Sequence, residues 1–475
     1  MFSFLRGTTL VAQPDRSAPP QPGPPPQLKL PPIQHFKLSN GMPVVLLEKH
    51  TVPVVQMNLV VRTGSCMDPE GKRGLGSMTA AMLTEGAGAR NALQLADAID
   101  YIGARIDAGA GKHTSGIQLH TPVARLDSAL AILADVVRRP TFPLAELDRQ
   151  RRDRLTTLIQ WRDDPNSIAS VLFSRTLYGT GHPYGVPSVG NESSLNSITV
   201  EDLKSFHAKY YVPENTTAIV VGDITQSVAK SRLEKAFGSW KGKTTPATPL
   251  PPIQQLKESS LQIVDKPGAP QTVVVIGRVG APRLTPDFYA IVVMNTILGG
   301  SFTSRLNQNL REEHGYAYGA GSGFDFRPLP GPFRASASVQ TAVTDKALTE
   351  FMKELDGIHE LVSDTELEKA KNYVALSFPG DFQSVGQIAA QLEELVIYSL
   401  PDDYFNKYIN RILAVTREDV QRAAQKYIDV NNLAIVLVGD REQIEDGVNS
   451  LSLGPVKELS VDDVLGPAPV INAER

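Results

Sequence analysis

Apolar residues follow two different rhythms along this chain. Leu93, Leu95, Ala96, Ile99 and Ile102 recur three and four residues apart, which places one apolar stripe on a helix over 93–102. Residues 126–137 repeat that spacing, and 145–161 predict a longer helix with a polar face. Residues 43–61 hold two apolar runs around a break at 49–53, the pattern of a strand pair. The short apolar runs 218–221 and 434–438 each end in Gly-Asp and predict buried strands closed by turns. Strands and helices interleave without strict alternation, so the fold class is α+β rather than a doubly wound sheet.

The pattern also repeats. TVEDLKSFHAKYYVPENTTAIVVGD begins at Thr199 and TREDVQRAAQKYIDVNNLAIVLVGD at Thr416. Thr199, Glu201, Asp202, Lys209, Tyr210, Asn215, Gly222 and Asp223 return as Thr416, Glu418, Asp419, Lys426, Tyr427, Asn432, Gly439 and Asp440, each pair 217 residues apart. Glu146-Leu147 returns as Glu366-Leu367 at a similar separation. Eight matches in one register mark a duplicated domain of about 220 residues. Residues 241–258 are rich in Thr and Pro without sustained period and read as a linker. The expected organisation is an arm at 1–32, a first domain at 33–240, the linker, a homologous second domain at 259–460, and a tail at 461–475.

Composition narrows the function. The 475 residues are 41% hydrophobic and carry a net charge of −4, which provides no basic face for nucleic acid. Cys66 is the single cysteine, so an internal disulfide and a cysteine-built metal cluster are excluded, and it reads as a small buried or turn residue. No apolar run reaches the length of a membrane span, so no integral membrane segment is expected. MFSFLRGTTLVAQ at the start is interrupted by Arg6 and fits either a degraded secretory signal or a tail. Prolines crowd 14–32 into an extended polyproline arm with no core of its own. Such an arm suits a bacterial periplasmic or envelope protein, and a cytoplasmic one equally.

The common catalytic signatures are missing. There is no phosphate-binding Walker loop and no G-x-S-x-G elbow. No two of the eight histidines stand at i, i+4 with a glutamate between them on a predicted helix. Other stretches resemble a known family: LSNGMPVVLLEKHTVPVVQMNLVVRTGS at 38–65, GLGSMTAAMLTEGAGAR at 74–90, WRDDP at 161–165, GHPYG at 181–185, ITVEDLKSFHAKYYVPENTTAIVVGD at 198–223 and ILGGSFTSRLNQNLREEHGYAYG at 297–319. Together they make the chain similar to the pitrilysin/insulinase zinc peptidases, which include processing peptidases. The likeness runs over nearly everything after the arm. It implies two homologous α/β domains forming half of a clamshell.

The departure from that family is as informative as the match. Active members carry H-x-x-E-H shortly after Gly-Leu, with two zinc-binding histidines and a glutamate that activates water. Here the segment reads Ser77-Met78-Thr79-Ala80-Ala81. The family's third ligand, a glutamate on a later helix, falls in Leu155-Thr156-Thr157-Leu158. Ser77, Ala80, Ala81 and Thr157 therefore mark a degenerate zinc site, and no metal is expected on this chain. The second half keeps an arginine and a tyrosine seven residues apart, Arg311 and Tyr318. In the family this pair points across the chamber to the zinc site of the other half-molecule and donates hydrogen bonds to the scissile carbonyl.

Without the resemblance, Arg311 reads as a solvated charge near the end of a helix over 304–313, and Tyr318 as a core residue starting a strand. Gly299, Gly300 and Ser301 match a small-residue loop that non-catalytic subunits use to handle substrate, and equally fit a helix C-cap turn. The strand at 106–116 matches one that pairs its edge with bound peptide, although Gly109, Gly111 and Gly116 weaken it. His113 reads as a polar strand residue; Phe324 and Phe326 read as core or chamber wall. The resemblance implies the non-zinc subunit of a heterosubunit zinc metallopeptidase. It would be inactive alone and paired with a homologous zinc-binding subunit carrying H-x-x-E-H, for cleavage of unfolded peptides. The alternative is a structural core subunit of the same family with no part in hydrolysis.

Overall fold

The computed structural model describes residues 23–25, 27–243 and 249–470. The remaining parts of the arm, linker and tail expectations lie outside the described residues. Two six-stranded sheets dominate the rest. The first is built from β1 (Gln34–Lys37), β2 (Pro43–Glu48), β3 (Val54–Val61), β4 (Arg105–Ala110), β5 (Ser115–Pro122) and β6 (Thr216–Gly222), in the order β1-β2-β6-β3-β5-β4. The second uses β7 (Ser260–Asp265), β8 (Gln271–Val279), β9 (Ala317–Phe324), β10 (Pro332–Gln340), β11 (Ala434–Gly439) and β12 (Val456–Leu459), in the order β12-β7-β11-β8-β10-β9. From the second strand onward the two orders are the same. β2 runs parallel to β6 as β7 does to β11, and the remaining matched pairs are antiparallel. The halves differ at the first edge, where β1 pairs antiparallel with β2 and β12 pairs parallel with β7.

One expectation is corrected here. β2 and β3 form where the apolar runs place them, but they are not neighbours, because β6 lies between them. Every residue of β6 is buried, and an apolar strand of this kind is stable only when flanked on both sides. It displaces the local hairpin and joins the two ends of the first half.

In the first half α2 (Ala92–Tyr101), α3 (Leu126–Arg138) and α4 (Leu144–Trp161) form where the apolar periodicity places them, and α1 (Leu75–Ala81), α5 (Pro165–Tyr178) and α6 (Val200–Tyr210) form in addition. The second half contributes α7 (Phe288–Leu298), α8 (Asp364–Ser377), α9 (Val385–Tyr398) and α10 (Arg417–Tyr427). The repeated Thr and Asp now have a purpose. Thr199 accepts a hydrogen bond from the Asp202 N–H and Thr416 one from the Asp419 N–H, and both pairs close as capping boxes at the starts of α6 and α10.

α5 and α9 stand at equivalent places in the repeat, and each packs on the other half's sheet. Ile168, Ala169, Leu172, Phe173 and Leu177 of α5 bury against Val264, Val273, Val275, Val436 and Val438 of the second sheet. Val385, Ile388, Ala389, Leu392 and Leu395 of α9 bury against Val45, Leu47, Val60, Ile219 and Val221 of the first. Each large apolar side chain so covered stabilises the junction by about 1.5–3 kcal/mol. Gly277 of β8 permits the approach: a Cβ there would lie 2.8 Å from Phe173 Cζ and 2.0 Å from the Phe333 carbonyl oxygen.

The outermost described segments fold onto this junction too. Leu28 and Leu30 of the arm, with Ile33 just beyond it, pack against the α9 cluster, so the arm's described part shares a core. The expected tail contains a helical turn, Val461–Leu465, capped by Ser460 and Asp463, with Val464 buried against α5. Among the described residues no helix is long and apolar enough to cross a membrane.

Because each half covers the other's sheet, the halves unfold together. Leu392→Ala, at a fully buried position, is expected to lower stability by about 2–5 kcal/mol within a single denaturant transition recorded by circular dichroism. Two resolved transitions, with the first half unaffected, would contradict the exchange.

Candidate functional site

The second half builds a cleft from the end of α7 outward. The N–H groups of Gly299 and Gly300 both donate to the Asn295 carbonyl, at 2.9 and 2.7 Å, which closes the helix. The Gly299 carbonyl accepts from the Ser322 N–H of β9 at 3.0 Å. Asn295 Nδ2 donates to the Ser322 carbonyl at 3.1 Å, and the Ser322 hydroxyl donates back to Asn295 Oδ1 at 2.8 Å. A Cβ on Gly299 would stand 2.3 Å from the Ser322 nitrogen, so only glycine allows this approach. Gly299 and Gly300 thus cap a helix and anchor an edge strand, and they also line the cleft beside Ser301.

Beyond that turn the helix expected over 304–313 is corrected. Arg305–Asn307 makes one α turn, and Gln308–Glu313 widens into a π turn. The wider turn carries Arg311 to the cleft, the kind of distortion that recurs at functional sites. A second distortion places Tyr318. Between Ala317 and Ala320, β9 advances three residues while β10 advances two, a bulge that turns the strand outward. Tyr318 is 87% exposed, so it is not the core residue that its place at a strand start suggests.

The Arg311 guanidinium carbon lies 5.1 Å from the centre of the Tyr318 ring and 4.7 Å from that of Phe302. Glu312 Oε1 stands 3.2 Å from Arg311 Nε. The cleft, about 990 Å³, brings together Gly299, Gly300, Ser301, Arg311 and Tyr318, the five candidate site residues of the second half. Phe324 also lines it, while Phe326 packs on the core. Its far wall is Ser170, Phe173 and Ser174 of α5, residues of the first half. These wall residues, with Arg327 and Arg334, were not singled out from the sequence. Arg334 does leave a trace there, as the one charge in the alternating stretch PFRASASVQ.

The positions expected to mark a degenerate zinc site are built differently. Asp68 caps α1, accepting from the Gly74 and Gly76 N–H groups, each at 2.7 Å. Ser77 donates to the Ser188 carbonyl at 2.7 Å and accepts from Arg154 Nη1 of α4 at 2.8 Å. Ala80 is fully buried, Ala81 is partly so, and the Thr157 hydroxyl turns back onto the Asp153 carbonyl. Burial pulls the Arg154 guanidinium down to about 10, where it still holds its proton at neutral pH. A hydroxyl, two methyl groups and a fixed cation do not suit a zinc ion, which takes anionic or imidazole ligands. Among the described residues no group of three or more His, Cys, Asp or Glu is placed to hold a metal.

Nearby residues are structural. Cys66 is buried, which pushes its thiol up to about 11 and leaves it unreactive at neutral pH. His113 lies in the β4–β5 turn, its Nε2 bonded to the Tyr184 hydroxyl. Burial first, then the charges of Arg327 and Lys112, hold it down to about 4; His182 and Asp325 also face it. The strand expected over 106–116 is divided: β4 ends at Ala110, a turn covers 111–114, and Ser115 and Gly116 belong to β5; of the two, β4 lies at the edge of the sheet. The matching edge β9 is engaged at Ala320, whose N–H donates to Asn307 Oδ1 at 3.1 Å, and at Ser322.

Comparison with known proteins agrees with this architecture. Residues 43–180 match the insulinase (peptidase family M16) model, and residues 197–374 match the peptidase M16 inactive domain. The chain is 28% identical over 288 residues to an uncharacterized zinc protease, YmxG, of Bacillus subtilis, covering 60% of this chain and 68% of that one. It is 22% identical over 424 residues to a non-peptidase homolog of Helicobacter pylori, covering 86% and 95%. A crystal structure of a peptidase M16 inactive domain from Pseudomonas fluorescens superposes with a TM-score of 0.79 at 29% identity, over 86% of this chain and 98% of that one. The chain belongs to the insulinase family of peptidases.

Two outcomes follow from the site. After dialysis against micromolar zinc, metal analysis is expected to find no stoichiometric zinc on the chain; one tightly held equivalent would contradict the role given to Ser77 and Arg154. For His113, the unfolded chain takes up a proton near 6.5 while the folded one resists until about 4. Stability is therefore expected to fall as pH drops through that window. His113→Gln should flatten this decline in denaturant titrations, and an unchanged slope would remove His113 from it.

Proposed function

We propose that this insulinase-family chain is the zinc-free subunit of a two-subunit metalloendopeptidase, acting on unfolded peptides. The observation that carries the reading is the convergence of Arg311 and Tyr318 on one open cleft, in a chain whose own zinc position holds Ser77 and Arg154. The homologous partner carries H-x-x-E-H and supplies zinc, the attacking water and its general base. This chain supplies two donors in trans and half of the enclosing chamber.

Each donor suits its task. The Arg311 side chain is 31% exposed and held over two aromatic rings, which orients its planar fork before substrate arrives. The Tyr318 phenol stands free of the sheet and can donate its proton to a carbonyl oxygen. As the scissile carbonyl becomes tetrahedral its oxygen gains negative charge, and preorganised donors stabilise that charge more than they stabilise the ground state. Extended peptides are the suitable substrates, since a closed chamber excludes folded proteins. The edge strand β4 offers main-chain pairing to such a segment.

In the assembled complex, Arg311→Ala and Tyr318→Phe are each expected to lower kcat by about 10²–10³, with assembly unchanged by gel filtration. Unchanged kcat in an intact complex would remove both residues from hydrolysis and leave the chain as a structural core subunit.

A further inference from the structure

The inner wall of the cleft carries a charge that no described residue balances. On β10, Phe333, Ala335, Ala337 and Val339 are buried in the core, and Arg334, Ser336 and Ser338 alternate with them on the other face. Arg334 Nη1 donates to Ser170 Oγ of α5 at 3.1 Å. Its Nε is buried without a hydrogen-bond partner among the described residues. Burial holds the guanidinium below its usual pKa, and among the described residues no carboxylate raises it. Arg327 shares the cleft: Nε donates to Asp325 at 2.9 Å, while Nη1 is buried without a hydrogen-bond partner among the described residues. Three arginines line the cleft, Arg311, Arg327 and Arg334, and Asp325 is the one carboxylate among its described lining residues. Glu312 pairs with Arg311 and Asp325 with Arg327, which leaves Arg334 without an acid among the described residues.

A guanidinium withdrawn from water without a counter-charge is costly, and removing one partner of such a pair is the usual way to destabilise it. That cost is offset if a ligand brings the anion. Arginine's planar fork matches a carboxylate with two parallel hydrogen bonds, a geometry that lysine does not offer. The α5 wall places Ser170 and Ser174 beside it as further hydroxyl donors.

We propose that Arg334, backed by Arg327 and Ser170, forms a carboxylate-binding subsite of this cleft, so that a bound peptide presents an acidic side chain or its C-terminal carboxylate there. The proposal rests on the reading of the cleft as a peptide site. It adds a substrate class: extended segments with a carboxylate at the position that meets Arg334.

The test measures binding to the full-length chain by fluorescence anisotropy, with N-terminally labelled peptides of one neutral sequence. One is amidated, one keeps a free C-terminal carboxylate, one is amidated with a central Glu, and one is amidated with a central Lys. A carboxylate peptide is expected to bind about 10- to 100-fold more tightly than the neutral amide. The central-Glu and free-terminus peptides show which source the subsite uses. Arg334→Gln is expected to remove the difference, and Arg334→Lys to keep only part of it, with thermal unfolding confirming that each variant folds. Arg311→Ala is expected to weaken all four peptides alike. Measurable but equal binding of neutral and carboxylate peptides, or a preference that survives Arg334→Gln, overturns the subsite and leaves the peptide site standing. No binding of any of the four at millimolar concentration overturns both.

Discussion

The exchange of α5 and α9 between the two sheets is the contact on which the rest of the structure depends. A sheet with β6 or β11 at its centre is apolar on both faces and needs cover on both. Each half supplies cover for one face from its own helices and takes the other cover from its twin. Neither half closes its core alone, so the duplication is also a mutual dependence. Gly277 shows how close the fit is, since a single added carbon there would meet Phe173.

The cleft inherits this arrangement. Along the same stretch that packs on the sheet, α5 presents Ser170, Phe173 and Ser174 to the cleft across from β9 and β10. A helix from the half with the degenerate zinc site therefore walls the site that carries Arg311 and Tyr318. The two halves have diverged in what they hold at their helix–sheet junctions. One has Arg154 hydrogen-bonded to Ser77 near the fully buried Ala80; the other has an open, cationic recess.

Much of this was legible in the sequence because it was written twice. The shared register of Thr199 and Thr416 is a pair of capping boxes, and capping is local chemistry that survives divergence. The seven-residue spacing of Arg311 and Tyr318 was legible through the family resemblance. Their geometry was not, because it depends on a π turn and a bulge, and neither distortion has a period to read. The β2–β3 neighbourhood was misjudged for a related reason: apolar runs show that strands form, not which distant strand comes between them. The helix exchange was invisible as well. Ile168, Leu172 and Phe173 announce an apolar stripe, and nothing in their spacing says whose sheet it meets. Arg334 stands in plain view, but its meaning needs the three-dimensional finding that no described carboxylate pairs with it.

The central claim is that hydrolysis requires this chain's donors at another chain's metal. It is tested most directly by assaying cleavage of an unfolded peptide with this chain alone, with the homologous H-x-x-E-H chain alone, and with the two mixed, while counting zinc in each. The account predicts that only the mixture cleaves efficiently and that its zinc travels with the partner. Cleavage by this chain alone with an equivalent of bound zinc would contradict it.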